Sequence, residues 1–280
     1  MELLTLFCHV DDFCQGFEPQ FQARLLETGE RRRRRASRLS NSEIMTILIF
    51  FHASNYRTFK HYYLMLTVHH QAEFPNLLSY SRFVRILNKV AGPLCAYLTF
   101  CFGACTGISF IDSTRLPVCG NKRTERNRVF EDIAQLGKSS MGWFFGFKLH
   151  IVVNDQSELL AARLTPGNVD DRAVVPEMVQ NLTGHMFSEK GYTWAQLFSD
   201  LFSDHLKLVT PIRRNRKNRL VPLAEKLLLR KRSLIETIND QLKNVCLICH
   251  TRHRSPCNGL VHLVAGWSVI SINPRNPSYV

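Results

Sequence analysis

The sequence predicts a mixed α/β fold: a sheet flanked by helices on both faces, preceded by a helical region. Residues 1–105 carry helical patterns, and from Gly107 onward short β-branched and aromatic runs alternate with helix-like segments. The resulting order, strand-strand-strand-helix-strand-helix-strand-helix, suits a mixed sheet covered on both faces. With 280 residues, 45% of them hydrophobic, the chain can fill one large core or a core plus a smaller helical module. The boundary between the two is placed between residues 105 and 106.

In the first part, helices are expected over 2–13 and 19–26, followed by a break that holds Gly29 and a run of five arginines. Ser40 and Glu43 have the S-x-x-E spacing of a capping box, opening an apolar helix to His52. Ser54-Asn55 then makes a turn into a second helix over 58–68. Two helices joined by a short turn beside arginines fit a DNA-reading helical pair, and they fit an ordinary core hairpin equally well. Residues 90–111 carry no charge over 22 positions, long enough to cross a bilayer. Gly92, Pro93, Gly103 and Gly107 interrupt the run, however, so a buried helix, a turn and a central strand are expected, with no membrane partner.

In the second part, strands are expected at 108–112, 143–153 and 159–164, the last two joined by a turn at Asn154-Asp155. A turn at 165–168 leads to a helix running to Asn181 with Asp170 or Asp171 as its N-cap. A strand at 185–188, a helix at 194–202, a strand at 206–211, a basic loop and one long helix over 223–245 follow.

Lysine and arginine number 36 against 23 acidic residues, a net charge of +13. The excess lies in four separated clusters, around 31–35, 122–128, 213–219 and 230–232. Clusters spread along one chain point to a long polyanion, nucleic acid rather than a lipid surface. Nine cysteines, an odd number without regular spacing, read as reduced core residues, and the N-terminus lacks a basic leader; both indicate a cytoplasmic protein.

The candidate chemistry is acidic. Asp112 ends the apolar run Ile108-Ser109-Phe110-Ile111, where an ionised carboxylate is costly unless a cation meets it. Glu189 precedes Lys190-Gly191-Tyr192, and Glu236 lies on the last helix. Three oxygen donors on separate elements suit hard divalent metals. On that helix Arg232, Glu236, Asn239 and Lys243 share one face by their offsets of four, three and four, while Leu234, Ile238, Leu242 and Val245 occupy another. Taken by itself the Arg232-Glu236 pair reads as an exposed ion pair worth a few tenths of a kcal/mol. Cys246, Cys249, His250 and His253 have zinc-ligand chemistry, but one helix face cannot wrap a tetrahedral ion, so they read as core cysteines and surface histidines. The aromatics at 143–147 likewise read as strand core.

Four runs carry a family resemblance: Phe110-Ile111-Asp112-Ser113-Thr114; Ser139-Ser140-Met141-Gly142-Trp143-Phe144-Phe145-Gly146-Phe147-Lys148-Leu149-His150; Leu164-Thr165-Pro166-Gly167-Asn168-Val169-Asp170-Asp171-Arg172; and Leu227 through Glu236. The chain resembles the DDE transposases of bacterial insertion sequences, and within them the insertion sequence 982 family. The resemblance implies an RNase H-like core with Asp112, Glu189 and Glu236 as catalytic, metal-holding carboxylates for two Mg²⁺ ions, with Mn²⁺ able to substitute. It further implies cleavage and transfer of double-stranded DNA, both element ends and target, by a homodimer associated with the bacterial nucleoid. Arg31, Arg32, Arg33, Arg34, Arg35, Lys190, Arg232 and Lys243 would then contact phosphates. Two positions depart from the family pattern: Glu189 stands where Asp is expected, and Leu229 where a Tyr is expected. Reduced activity follows from the first, and the alternative is a catalytically impaired relic that only binds DNA.

Overall fold

The computed structural model of the protein describes residues 1–28, 37–211, 222–249 and 253–272. The arginine run at 31–35, the basic loop after the last strand and His250 lie outside these residues.

The N-terminal part is a layer of helices. α1 (Leu3–Glu27) continues through Pro19, where two helices were expected. Pro19 is exposed, so the carbonyl its ring leaves without a donor one turn earlier can be met by water. α2 (Asn41–Ala53) starts at the expected capping box, with Ser40 Oγ accepting from the Glu43 amide at 3.0 Å and the Glu43 carboxylate accepting from the Ser40 amide at 2.7 Å. Its apolar residues 44–49 are buried together with His52, which makes α2 a core helix. α3 (Phe59–His69), capped by Thr58, buries Tyr62, Tyr63 and Leu66 and leaves Lys60 and His61 exposed. The tyrosine hydroxyls donate to the carbonyls of Ile47 and Leu78. α4 (Tyr80–Ile86) and α5 (Ala91–Phe100) follow. The uncharged stretch therefore resolves into α5, a turn and the start of a strand. Among the described residues no helix is long and apolar enough to cross a membrane.

The described residues form a six-stranded sheet: β1 (Ile108–Cys119), β2 (Gln135–Ser139), β3 (Gly142–Asn154), β4 (Leu159–Pro166), β5 (Gly184–Phe187) and β6 (Leu206–Val209). The order is β2-β3-β1-β5-β6, with β4 also on β3. β2 and β4 pair with successive stretches of β3, the first with its residues 142–146 and the second with 147–153. β1 is antiparallel to β3 and parallel to β5, which is parallel to β6. The sequence reading missed β2, whose Gln135-Leu136-Gly137-Lys138-Ser139 lacks an apolar alternation. It also ended β1 too early, because β1 turns polar after Ile111 while still pairing with β3.

Strand alternation sorts the two faces. Phe110, Leu116, Leu149, Ile151 and Val153 join the helical layer in one continuous core. Ile111 and Val152 point the other way, onto α6 (Val175–Met178) and α7 (Ala195–Ser203). α6 is shorter than expected, and its N-cap is Val174, not an aspartate. Asp170 is instead drawn to Arg172, accepting from its backbone amide at 2.9 Å and from its guanidinium, so the chain turns before the helix begins.

The expected long C-terminal helix is divided. α8 (Leu223–Lys231) breaks at Arg232, where ψ of −20° tightens the turn and the Ile235 amide donates to the Arg232 carbonyl three residues back, and α9 (Ser233–Asp240) runs into one π-helical turn, Gln241–Val245. α10 (Pro256–Ile272) then packs against α2 and α5, so the described chain ends within the helical layer.

Gly184 opens β5 with φ of +91°, and a Cβ there would stand 2.2 Å from the Gly107 carbonyl oxygen. We expect Gly184→Ala to cost about 1–3 kcal/mol in denaturant melts, through strain and lost approach. Gly120→Ala, with open space around it, should change little.

Candidate active site

Phe110 on β1 pairs with Phe187 on β5, and there the parallel ladder stops. Two residues further along each strand come Asp112 and Glu189. Strand period places them side by side on the face already marked by the Phe110 and Phe187 rings, whose centroids are 5.7 Å apart. Glu189 keeps an extended backbone, with φ −73° and ψ 168°, before the turn Lys190–Tyr192, so the strand direction carries to it. Asp112 remains paired with Ile151 of β3 on its other side. It therefore occupies the point where the sheet opens between two parallel strands, just past the carboxyl end of β5 and partway along β1.

α9 closes the site. Arg232, at the α8–α9 break, is 15% exposed and lies between two glutamates that are each 54% exposed. Its Nη2 stands 3.2 Å from Glu189 Oε1 and 2.5 Å from Glu236 Oε1. One turn on from Glu236, Asn239 Nδ2 donates to Asp112 Oδ2 at 2.8 Å. Lys243, in the π-helical turn, donates to Thr114 Oγ1 on β1. Of the face formed by Arg232, Glu236, Asn239 and Lys243, the last two bond β1 while Arg232 joins the two glutamates, so the three acidic candidates share one neighbourhood. Asn239 and Thr114 were not picked as site residues. The signal for Asn239 was its place on the Glu236 face; Thr114, as a hydroxyl on β1, had none.

The electrostatics follow from this crowding. Burial, and then the Glu189 and Glu236 charges, push the Asp112 carboxyl up to about 6, against weaker opposition from the Ser113 amide and Arg232. Two buried polar atoms near it have no hydrogen-bond partner among the described residues: Asn239 Oδ1 and Arg232 Nη1. An uncompensated oxygen beside three carboxylates, and an uncompensated guanidinium N–H, are respectively what a hard cation and a phosphate oxygen would satisfy. The donor set thus fits divalent metal. Among the described residues, no three His, Cys, Asp or Glu side chains are grouped tightly enough to hold an ion, since Glu189 and Glu236 are turned onto Arg232.

Lys148 and His150 alternate with Leu149 and Ile151, so they point away from the Asp112 face. Lys148 Nζ lies 3.0 Å from Asp171 Oδ1, and His150 Nε2 lies 2.9 Å from Thr165 Oγ1. Asp170 and Asp171 are therefore taken up by cations elsewhere. Lys190 is exposed on its turn beside Glu189. In the former zinc candidate Cys246 is buried as expected, but His253 is not a surface residue. Its ring stacks on the buried His262 with centroids 4.8 Å apart.

Three acids grouped beside the end of the β1–β5 ladder, under a helix bearing cations, are a donor set that could hold divalent metal. The family model for the transposase DDE domain matches residues 102–256, more than half of the chain, and the chain belongs to that family. It is a DDE transposase. Among solved structures the chain is similar to the piggyBac transposase synaptic complex with hairpin DNA, at 11% identity and a TM-score of 0.49, covering 89% of this chain and 70% of that one. Among curated proteins none matches.

Because Asp112 titrates near 6 when folded and near 3.8 otherwise, the metal-free fold bears the full cost of its charge above about pH 6. Between pH 6 and 4 the folded state takes up the proton first, and that cost fades as pH falls. Asp112→Asn should therefore stabilise the metal-free protein at pH 8, on the order of 1–3 kcal/mol. The gain should shrink through pH 6 and vanish near pH 4 in urea melts.

Proposed function

We propose that this transposase binds the terminal inverted repeats of a bacterial insertion sequence of the insertion sequence 982 family, cuts the DNA strands at those ends and joins them to target DNA. The strand order, with three antiparallel strands followed by two parallel to the first, supports an RNase H-like core. The observation that carries the reading is the convergence of Asp112, Glu189 and Glu236 around Arg232. Two divalent ions, taken as Mg²⁺ with Mn²⁺ as a substitute, would activate the attacking oxygen and stabilise the leaving one. Asp112, Glu189 and Glu236 would hold them. Asn239 fixes the Asp112 carboxylate by its hydrogen bond, and Lys243 ties the helix to β1. Arg232, released from the glutamates as cations arrive, and Lys190 would take phosphate oxygens. A homodimer on double-stranded DNA is the simplest assembly that joins two ends at once.

Strand nicking of an end-bearing duplex with Mg²⁺ tests this reading. Asp112→Asn and Glu236→Gln should abolish cleavage while leaving end binding nearly intact; normal cleavage by either variant removes these residues from the site. Glu189→Asp should raise Mg²⁺-supported cleavage, since a misplacement of roughly 1 Å can cost on the order of a hundredfold in rate. A fall would make Glu189 an adapted ligand, and an unchanged rate would disqualify it. A chain that binds ends but never nicks them, even as Glu189→Asp, would be the DNA-binding relic.

Arg31 to Arg35 are proposed to contact phosphates. Replacing all five with Ala should flatten the salt dependence of duplex binding by about 0.9 log-log unit per lost contact. An unchanged slope would show that the run faces away from DNA.

A further inference from the structure

Away from the carboxylates, a cavity of about 1070 Å³ lies between α3, α4 and the start of α10. Four exposed cations line it: Arg57, Lys60, Arg85 and Arg254. No carboxylate does, and among the described residues none of the four forms an ion pair. Four like charges around one hollow repel each other, and an anion relieves that repulsion. The interior differs from the rim. Phe59 and Tyr80 line it half-buried, with ring centroids 6.3 Å apart, and Phe59 and His262 pack edge to face with centroids 4.9 Å apart.

His52 also lines the cavity, and its hydrogen bonding is one-sided. Its Nδ1 lies 2.6 Å from the Cys246 carbonyl oxygen, which can only accept, so Nδ1 carries the hydrogen. Burial pushes the imidazole down to about 4, so the ring is neutral and Nε2 is left as a lone-pair acceptor. That atom is buried against the protein, so the ring belongs to the wall of the hollow and not to its open surface. The hollow thus offers cations at its rim and aromatic surface within. Inorganic phosphate or a lipid headgroup phosphate would use only the cations.

We propose that this cavity binds a single-stranded stretch of DNA, its phosphates on Arg57, Lys60, Arg85 and Arg254 and an unpaired base against Phe59 and Tyr80. The proposal rests on the reading of the chain as a DNA-cutting transposase and adds where an unpaired strand goes. The lining decides for a single strand: a duplex keeps its bases paired inside and could only lie across the rim, whereas an unpaired base can reach the rings of Phe59 and Tyr80. Its position fits as well, because Leu247 and Ile248 of its wall follow directly on the helix that carries Glu236 and Lys243. Eleven residues separate Glu236 from Leu247, about 16 Å at helical rise. A strand leaving the carboxylates would cover that distance in a few nucleotides.

The test uses the full chain carrying Asp112→Asn, so that DNA is bound without being cut. Anisotropy would be read with a labelled single strand of about eight nucleotides, a matched strand of abasic sites, and the end duplex, over a salt series. Adding Lys60→Ala and Arg85→Ala should weaken the single strand and lower its log-log salt slope by about 0.7 for each lost phosphate contact. Tyr80→Ala should cost on the order of fivefold through lost stacking, and only for the strand that carries bases. Should either charge pair perturb folding, seen as a shifted melt, Arg57→Gln with Arg254→Gln repeats the measurement from the other wall. An unchanged slope in a folded variant, or equal affinity for abasic and base-bearing strands, overturns the proposal. Nicking of duplex ends by the unsubstituted chain reports separately on the transposase reading: ends cut normally with an unaffected single strand sink the cavity proposal alone.

Discussion

Three carboxylates share one buried-edge neighbourhood with a single guanidinium, and much of the architecture serves to hold that uncomfortable arrangement. Counting formal charge, Asp112, Glu189 and Glu236 against Arg232 leave two negative charges in excess, the charge of one divalent ion. The raised titration of Asp112 is the visible cost. Such congestion persists only if the surrounding fold is stiff enough to refuse the relaxation that would separate the groups.

That stiffness has identifiable sources. Asp112 cannot withdraw, because β1 is held by β3 along its whole length and flanked just before it by Phe110 and Ile111, both fully buried. Glu189 is aimed by a strand of only four residues, whose start is locked by the close approach of Gly184 to Gly107. α9 is docked from both ends, through Arg232 and Lys243, while Ile235, Ile238 and Leu242 bury its other stripe. The break at Arg232 and the π-helical turn at Gln241–Val245 then make sense together. A straight α-helix would already keep Arg232, Glu236, Asn239 and Lys243 on one face; the two irregular turns fall where Arg232 reaches Glu189 and where Lys243 reaches β1.

How much of this was legible in the sequence depended on whether the signal was local. The capping box at Ser40 and Glu43, the start of a strand at Ile108 and the shared face of Arg232, Glu236 and Asn239 follow from spacing alone, and the structure has each of them. Pro19 was over-read, since a proline on an exposed helix face costs the helix little that water cannot repair. Asp170 was misread as a cap because its competitor, Arg172, acts through a side chain whose reach spacing does not show. β2 was invisible for a different reason. It owes its existence to the edge offered by residues 142–146 of β3 and not to any apolar pattern of its own. The histidines at 52, 253 and 262 could not be joined from sequence at all, because a hydrogen bond spanning 194 positions and a helix from the far end of the chain bring them together.

Glu189 is the residue where sequence and structure bear on each other most directly. Its longer side chain reaches Arg232 at 3.2 Å; an aspartate on the same backbone would fall short by about 1.5 Å. Arg232 would then be held mainly by Glu236 and freer to turn its unsatisfied Nη1 toward an anion. On this geometry the substitution does more than move an oxygen. It strengthens an internal ion pair, and a cation bound between Glu189 and Glu236, as proposed, would have to displace the guanidinium that both of them hold. On the proposed two-metal reading, that one methylene would be felt as competition between Arg232 and metal, at the point where three carboxylates crowd together.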